Sequence, residues 1–188
     1  MGKSVETKEV IIKETIALIQ EMNGNVEQIT IRKIADRSGV GIGLINHYFD
    51  SKKALLEICV QRVISDVITS FKPKVDVENS KKNIICCVAC QVMDFLMENQ
   101  QISKISILAD LNNPKEKDNT MGTVRGFAAS MSDMDLTQQV TENAFMLTAI
   151  LQESFLRKDV LKQIIGIDFY NKAERDMYIE RIIYKILD

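Results

Sequence analysis

The chain has 188 residues, with 24 Lys plus Arg against 26 Asp plus Glu, a formal charge of −2 and 46% hydrophobic content. That length allows one large domain or two small ones with a real core, and the composition is that of an ordinary globular chain. No run approaches the roughly 18 apolar residues a bilayer crossing needs. A balanced charge excludes a uniformly basic nucleic-acid coat but not a local positive surface.

The opening "MGKSVETKEV" carries charges where a secretory leader has its apolar stretch, so a cytoplasmic location is expected. The apolar spacing that follows is helical throughout, and nowhere alternates between hairpin turns, which predicts an all-α fold. A first helix is expected from Ser4 to Met22, with Val5, Ile12, Ile16 and Ile19 facing inward. "NGN" at 23–25 ends it, because Gly24 readily takes the left-handed conformation of a helix stop. Thr30 is placed to cap a second helix over Ile31–Arg37, and Gly39 to close it with a tight turn. A third short helix covers about Gly41–His47. Ser51 caps a fourth from Lys52 to about Phe71, carrying Leu55, Ile58, Cys59, Ile64, Val67 and Ile68, and Pro73 stops it. Beyond the link "KPKVDVENS", helices are expected near 80–100, 102–112, 116–132, 136–157 and 173–187, with a short turn at 159–165.

Residues 30–49, "TIRKIADRSGVGIGLINHYF", hold the informative pattern. Two short helices joined by a glycine turn make a helix-turn-helix. Ala35 is small enough for a close crossing, Gly39 takes the turn's positive angle, and Ile34, Val40 and Ile45 supply apolar contacts that lock it. The second helix of such a unit enters the major groove with its N-terminal part. Gly41 and Gly43 would let its backbone lie close to the sugar-phosphate chain. A helix interior otherwise loses about 1 kcal/mol per glycine relative to alanine.

The stretch "TIRKIADRSGVGIGLINHYFDSKKAL" resembles the DNA-binding region of TetR-family transcriptional regulators. The resemblance rests on Val40 after the turn glycine, Gly43 inside the recognition helix, the Tyr48–Phe49 pair at its end and Lys52 opening the next helix, and it covers about residues 8–55. It implies a helix-turn-helix DNA-binding domain at 1–55, tied by the fourth helix at 52–71 to a helical effector-binding and dimerisation domain at 56–188. Many members have tyrosine where this chain has Asn46, a departure that bears on the DNA sequence read rather than on DNA binding itself.

Roles at the interface follow from residue type and position. Thr30, Arg32 and Lys33 stand at the second helix's start, where free amides and positive charge hold phosphates. Ile42 and Leu44 are expected against thymine methyls, with core packing an equal alternative for Leu44. Asn46 and His47 reach base edges or backbone, because an amide can pair with adenine bidentately. The Tyr48 hydroxyl is expected on a phosphate and Phe49 in the core. Lys52 is expected to clasp a phosphate together with the fourth helix's amides.

A regulator of this kind implies double-stranded DNA with a palindromic operator as partner, and a homodimer through about 135–156 and 173–187. The latter segment carries a broad apolar stripe of Met177, Ile179, Ile182, Ile183, Ile186 and Leu187. Cys90, Met93, Met97, Leu108, Met121, Phe127, Phe145 and Met146 are the expected lining of a pocket for a small, largely apolar effector, since methionines adapt to irregular shapes. Ordinary core packing is the competing reading.

Cys86, Cys87 and Cys90 in "IICCVAC" leave open a redox-responsive regulator of the same fold, against the plainer reading of buried, reduced thiols. His47 is the only histidine, and no phosphate loop, nucleophile–base pair or metal-ligand spacing appears. Neither an enzyme, a metal nor a cofactor is expected.

Overall fold

The computed structural model describes residues 2–72, 80–132 and 137–187, with residues 2–4 described by backbone alone. Pro73, expected to stop the fourth helix, and residues 135–136 of the expected dimer segment lie outside the described residues. Among those described there is no strand. The order is α1 (Gly2–Glu21), a 3-10 turn (Val26–Gln28), α2 (Ile31–Ser38), α3 (Ile42–Tyr48), α4 (Lys52–Ser70), α5 (Lys81–Glu98), α6 (Gln100–Asn112), α7 (Asn119–Met131), α8 (Gln138–Leu156), α9 (Lys158–Ile165) and α10 (Lys172–Leu187). The all-α expectation holds, and the short turn expected at 159–165 is the two-turn helix α9.

The chain divides into two compact units, Met1–Thr69 with Asn99–Asn113, and Ser70–Glu98 with Pro114–Asp188. The sequence division at residue 55 runs along the chain, whereas the compact units follow packing. Nearly all of α4 and the whole of α6 pack with the N-terminal helices.

In the first unit α1 buries Ile11, Ile12, Thr15, Leu18 and Ile19 along one stripe at helical spacing. Thr15 satisfies its hydroxyl by donating to the Ile11 carbonyl at 2.7 Å. Val5, expected on the inward face, is 65% exposed, because it lies one turn before that stripe reaches a neighbour. On α4 the buried face is Leu55, Leu56, Cys59, Val60 and Ile64, while Ile58 points outward at 37% exposure. The inward stripe therefore runs one residue either side of the expected one. The C-terminal end of α2 is held on α1 by Arg37, whose guanidinium meets Glu21 at 2.6 and 2.7 Å and Glu14 at 3.0 Å. This paired contact holds the Glu21 carboxyl below the usual carboxylate range.

Helix α6 docks on the same unit at two places. Gln101 accepts the Val26 backbone N–H at 3.0 Å, beside Gly24, whose φ of 75° leaves it facing Ile102. Further along, Gln61 of α4 donates to the Asp110 carboxylate at 2.8 Å and to the Ser106 carbonyl at 3.2 Å.

In the second unit α5 packs against α7, α8 and α10, and α7 and α10 each pack on α8. Val88, Met93, Phe127, Leu147, Leu151, Phe155, Ile179 and Ile183 fill the space between. Asp118 and Thr137 cap α7 and α8 by accepting the N–H groups of Met121 and Val140. The polar anchor of this bundle is Arg175 of α10, only 6% exposed. Its guanidinium donates to the Phe169 carbonyl at 2.8 Å and pairs with Asp94 of α5. Lys172 adds bonds to Asp94 at 2.7 Å and Asp176 at 3.0 Å. Removing one partner of a buried pair strands the other charge. Arg175→Met is expected to cost about 2 kcal/mol in urea unfolding, less than for a fully buried pair because Asp94 keeps 28% of its side chain exposed. Lys172→Met, at a 59% exposed position, should cost under about 1 kcal/mol.

Candidate nucleic-acid interface

The helix-turn-helix is built from local bonds that the residue types dictate. Thr30 stands in extended backbone (φ −101°, ψ 154°), and its hydroxyl oxygen accepts the Lys33 N–H at 3.2 Å, satisfying one free amide of α2. Gly39 ends α2 at φ 66°, ψ 23°, its N–H bonded back to the Ala35 carbonyl. An L side chain there would be strained, so this glycine is required by the turn itself. Ser51 then caps α4 by accepting the Ala54 N–H at 3.1 Å.

Helix α3 has seven residues, about 10 Å of rod. Ile45 is 1% exposed and Phe49, just past its end, 4%. Packed alongside are Ile34 and Ala35 of α2, both buried. Val40 is half-buried rather than fully enclosed. Every other α3 residue is exposed except Tyr48, which is half-buried with its ring edge-on to His47 at 5.4 Å. Ile42 and Leu44 are 39% and 38% exposed, so Leu44 is not core in this chain. Asn46 and His47 are exposed beside them.

Gly41 and Gly43 behave differently from Gly39. Neither has positive φ, and no atom lies within 4 Å of the place where a Cβ would stand. The chain's own packing would accept alanine at both.

The cations divide into two groups. Arg32 and Lys53 are exposed. The Lys33 ammonium donates to the Gln28 carbonyl at 3.1 Å, and the Lys52 ammonium, expected on a phosphate, donates to the Ile29 carbonyl at 2.6 Å. Lys53 was not singled out from sequence, although its place as second residue of α4, beside the helix's free amides, was a readable signal. The structure brings Thr30, Lys33 and Lys52 together around residues 28–30 and presents Ile42, Gly43, Leu44, Asn46 and His47 along one bare rod. Such an arrangement offers a thin helix, a polar tip and flanking positive charge, which are the parts needed to read base edges and hold phosphates.

The expected effector lining does not come together in this way. Met93 and Phe127 are fully buried, and Cys90, Met97 and Met121 half-buried, in the second unit. Phe145 and Met146 are exposed by 51% and 44%, because the inward positions of α8 are their neighbours Ala144, Leu147 and Thr148. Leu108 is 45% exposed and belongs to the first unit, on the outer side of α6. Among the described residues no group of His, Cys, Asp and Glu is arranged to hold a metal.

The thiols sit in apolar or acidic surroundings. Burial pushes the Cys90 thiol up to about 12, with Asp176 adding to the effect, and burial raises Cys86 beside Glu180. Cys59 is likewise pushed up to about 12 by burial. These surroundings oppose the thiolate that a redox switch requires.

Residues 11–59 match the profile of the family described as "Bacterial regulatory proteins, tetR family". The chain belongs to the TetR family through this N-terminal domain. Over 67 residues it is 35% identical to the HTH-type transcriptional regulator BetI 2 of Chromohalobacter salexigens, covering 36% of this chain and 31% of that protein. Over 72 residues it is 38% identical to BetI of Serratia proteamaculans, covering 38% and 35%. The chain thus spans about a third of the length of the curated relatives it matches. Similarity of fold extends further. A TetR transcriptional regulator from Rhodococcus sp. RHA1 superimposes over 97% of this chain and 96% of its own with a TM-score of 0.62 at 14% identity. A second regulator from Rhodococcus sp. Rha1 gives 0.59 at 16% identity, over 96% and 95%. No helix among the described residues is long and apolar enough to cross a membrane.

Two outcomes follow for the isolated TetR-family chain. Gly43→Ala should raise thermal stability by up to about 1 kcal/mol, since it removes a glycine from an open helix position. Because the raised thiol values reduce the thiolate fraction at neutral pH, Cys86 and Cys90 should label with maleimide more slowly than a free thiol at pH 7. Their labelling should accelerate in urea, and peptide mapping with time would check it.

Proposed function

We propose that this TetR-family chain is a sequence-specific DNA-binding transcriptional regulator, a cytoplasmic, non-enzymatic repressor that binds a palindromic operator as a homodimer. The observation carrying this reading is α3, a short helix anchored by Ile45 while Ile42, Gly43, Leu44, Asn46 and His47 remain exposed. A helix that gives up its own burial on so many positions is shaped for an outside partner. The two unhindered glycines support a duplex as that partner, because they remove side chains where a sugar-phosphate backbone would press closest. Thr30, Arg32, Lys33 and Tyr48 are assigned to phosphates, Gly41 and Gly43 to close approach, Ile42 and Leu44 to thymine methyls, and Asn46 and His47 to base edges.

In this reading residues 1–55 form the DNA-binding domain and 56–188 the effector and dimerisation domain. Exposed apolar residues on α8 and α10, namely Phe145, Met146, Met177 and Tyr184, support a second copy of the chain as their cover. Two copies would present paired recognition helices to successive major grooves. A small, largely apolar molecule bound in the second unit would release the operator only by favouring the shape that binds DNA less well.

Selection of bound fragments from a random duplex pool tests this directly. A palindrome with half-sites one helical turn or a multiple apart is the expected result; recovery of unselected sequence would remove the reading. With the selected fragment, Asn46→Ala should relax preference at one or two positions, worth about 1–3 kcal/mol of discrimination. Arg32→Ala should weaken binding to all sequences and flatten its salt dependence. Gly43→Ala should lose affinity despite the gain in stability.

A further inference from the structure

We propose that Lys52 is a positioning residue, tying the start of α4 to the segment that leads into α2, and that the exposed Lys53 beside it neutralises the DNA phosphate at this corner. The inference rests on the DNA-binding reading and deepens it by reassigning the phosphate contact.

The geometry of residues 28–30 carries it. Ile29 is fully buried, and Thr30 spends its hydroxyl on the Lys33 N–H. The Ile29 carbonyl precedes the first helical residue of α2 and takes no part in that helix's bonding. A carbonyl in such a place needs a partner, and the Lys52 ammonium provides one at 2.6 Å, reaching back 23 residues from the first turn of α4. A charge-assisted bond of this length is among the stronger hydrogen bonds a surface offers. Lys52 is half-buried, so its ammonium is directed toward the chain. To reach a phosphate it would have to release the carbonyl and break the tether.

What the tether does follows from where its ends lie. One end is the residue before the cap of α2, and the other is the first residue of α4, directly after α3. The bond therefore closes the loop of chain that contains both helices of the helix-turn-helix. With α2 already held on α1 through Arg37, this closure fixes α3 from its far end.

Lys53 stands one residue on, exposed. It occupies the same first turn, where unpaired amides favour an anion, and its ammonium is free to follow a phosphate oxygen.

The test uses full-length protein and titrates a random-sequence duplex pool across a salt series. Lys53→Gln is expected to reduce the slope of log affinity against log salt by about 0.9 for each subunit engaged, the signature of one lost phosphate contact. Lys52→Met is expected to lower affinity roughly ten-fold at every salt concentration, by loosening the tethered loop, with the slope unchanged. A purely structural lysine would lower the melting temperature and leave the affinity of the folded fraction intact, which overturns the proposal. So does a flattened slope for Lys52→Met, or an unchanged slope for Lys53→Gln. Because Lys52→Met may unfold the unit, ammonium resonances of nitrogen-labelled wild-type protein give a second measure. Addition of the duplex should shift Lys53 and leave Lys52 in place, and the reverse overturns the assignment. Wild-type protein without salt-dependent binding would instead remove the regulator reading, and this inference with it.

Discussion

The bare recognition rod depends on one buried side chain. A seven-residue helix cannot hold itself together in water, since nucleation costs more than two turns of hydrogen bonds return. Helix α3 exists because Ile45, at 1% exposure, and Phe49, at 4%, are docked against the unit beneath, and because Gly39 and Ser51 determine where the chain arrives and leaves. Burying one isoleucine is worth roughly 2–3 kcal/mol, comparable with the whole margin by which a small domain is stable. This economy explains the surface around it. Each further α3 residue turned inward would steady the rod and remove a group available to an outside partner.

The glycines show the same trade at the backbone. Gly39 is held at φ 66°, where a side chain is strained, and belongs to the fold. Gly43 has ordinary angles and open space around its missing Cβ, so the fold alone gains nothing from it. Sequence reading grouped Gly41 with Gly43 and separated Gly39 by its place after a helix, and the backbone angles make the same distinction. A residue whose cost to the free chain is not repaid within that chain points outward, toward a surface that approaches closer than a methyl group allows.

What was legible in the sequence was local. Thr30, Gly39 and Ser51 act on amides or angles within four residues of themselves, so their types and spacing suffice to place them. The 3-10 turn at Val26–Gln28 was not legible, because its N–H at Val26 is satisfied by Gln101, 75 residues away. The same holds for Gln61 with Asp110 and for Arg175 with Asp94, which are separated by 49 and 81 residues. Ile58 and Val5 were misplaced by less. Helical periodicity identifies an inward stripe only to within about one position, and their exposure depends on which neighbour happens to lie alongside. Lys52 was read from its position at a helix start, which is correct, but the competing acceptor at Ile29 is invisible without the fold.

The second unit marks where this kind of reading stops. Met93 and Phe127 are buried and Phe145 and Met146 exposed, although all four belong to the same apolar vocabulary. Composition indicates that adaptable side chains are present, but whether they enclose a ligand, fill a core or face another copy is decided by register along α5, α7 and α8. The packing of α5 against three helices at once leaves one turn's offset between these fates. The buried Arg175–Asp94 pair reduces that freedom, because sliding α10 along α5 would strand both charges. Apolar contacts tolerate a shift of register far better than a buried ion pair does, so this pair, more than the methionines around it, determines which faces of the bundle look outward.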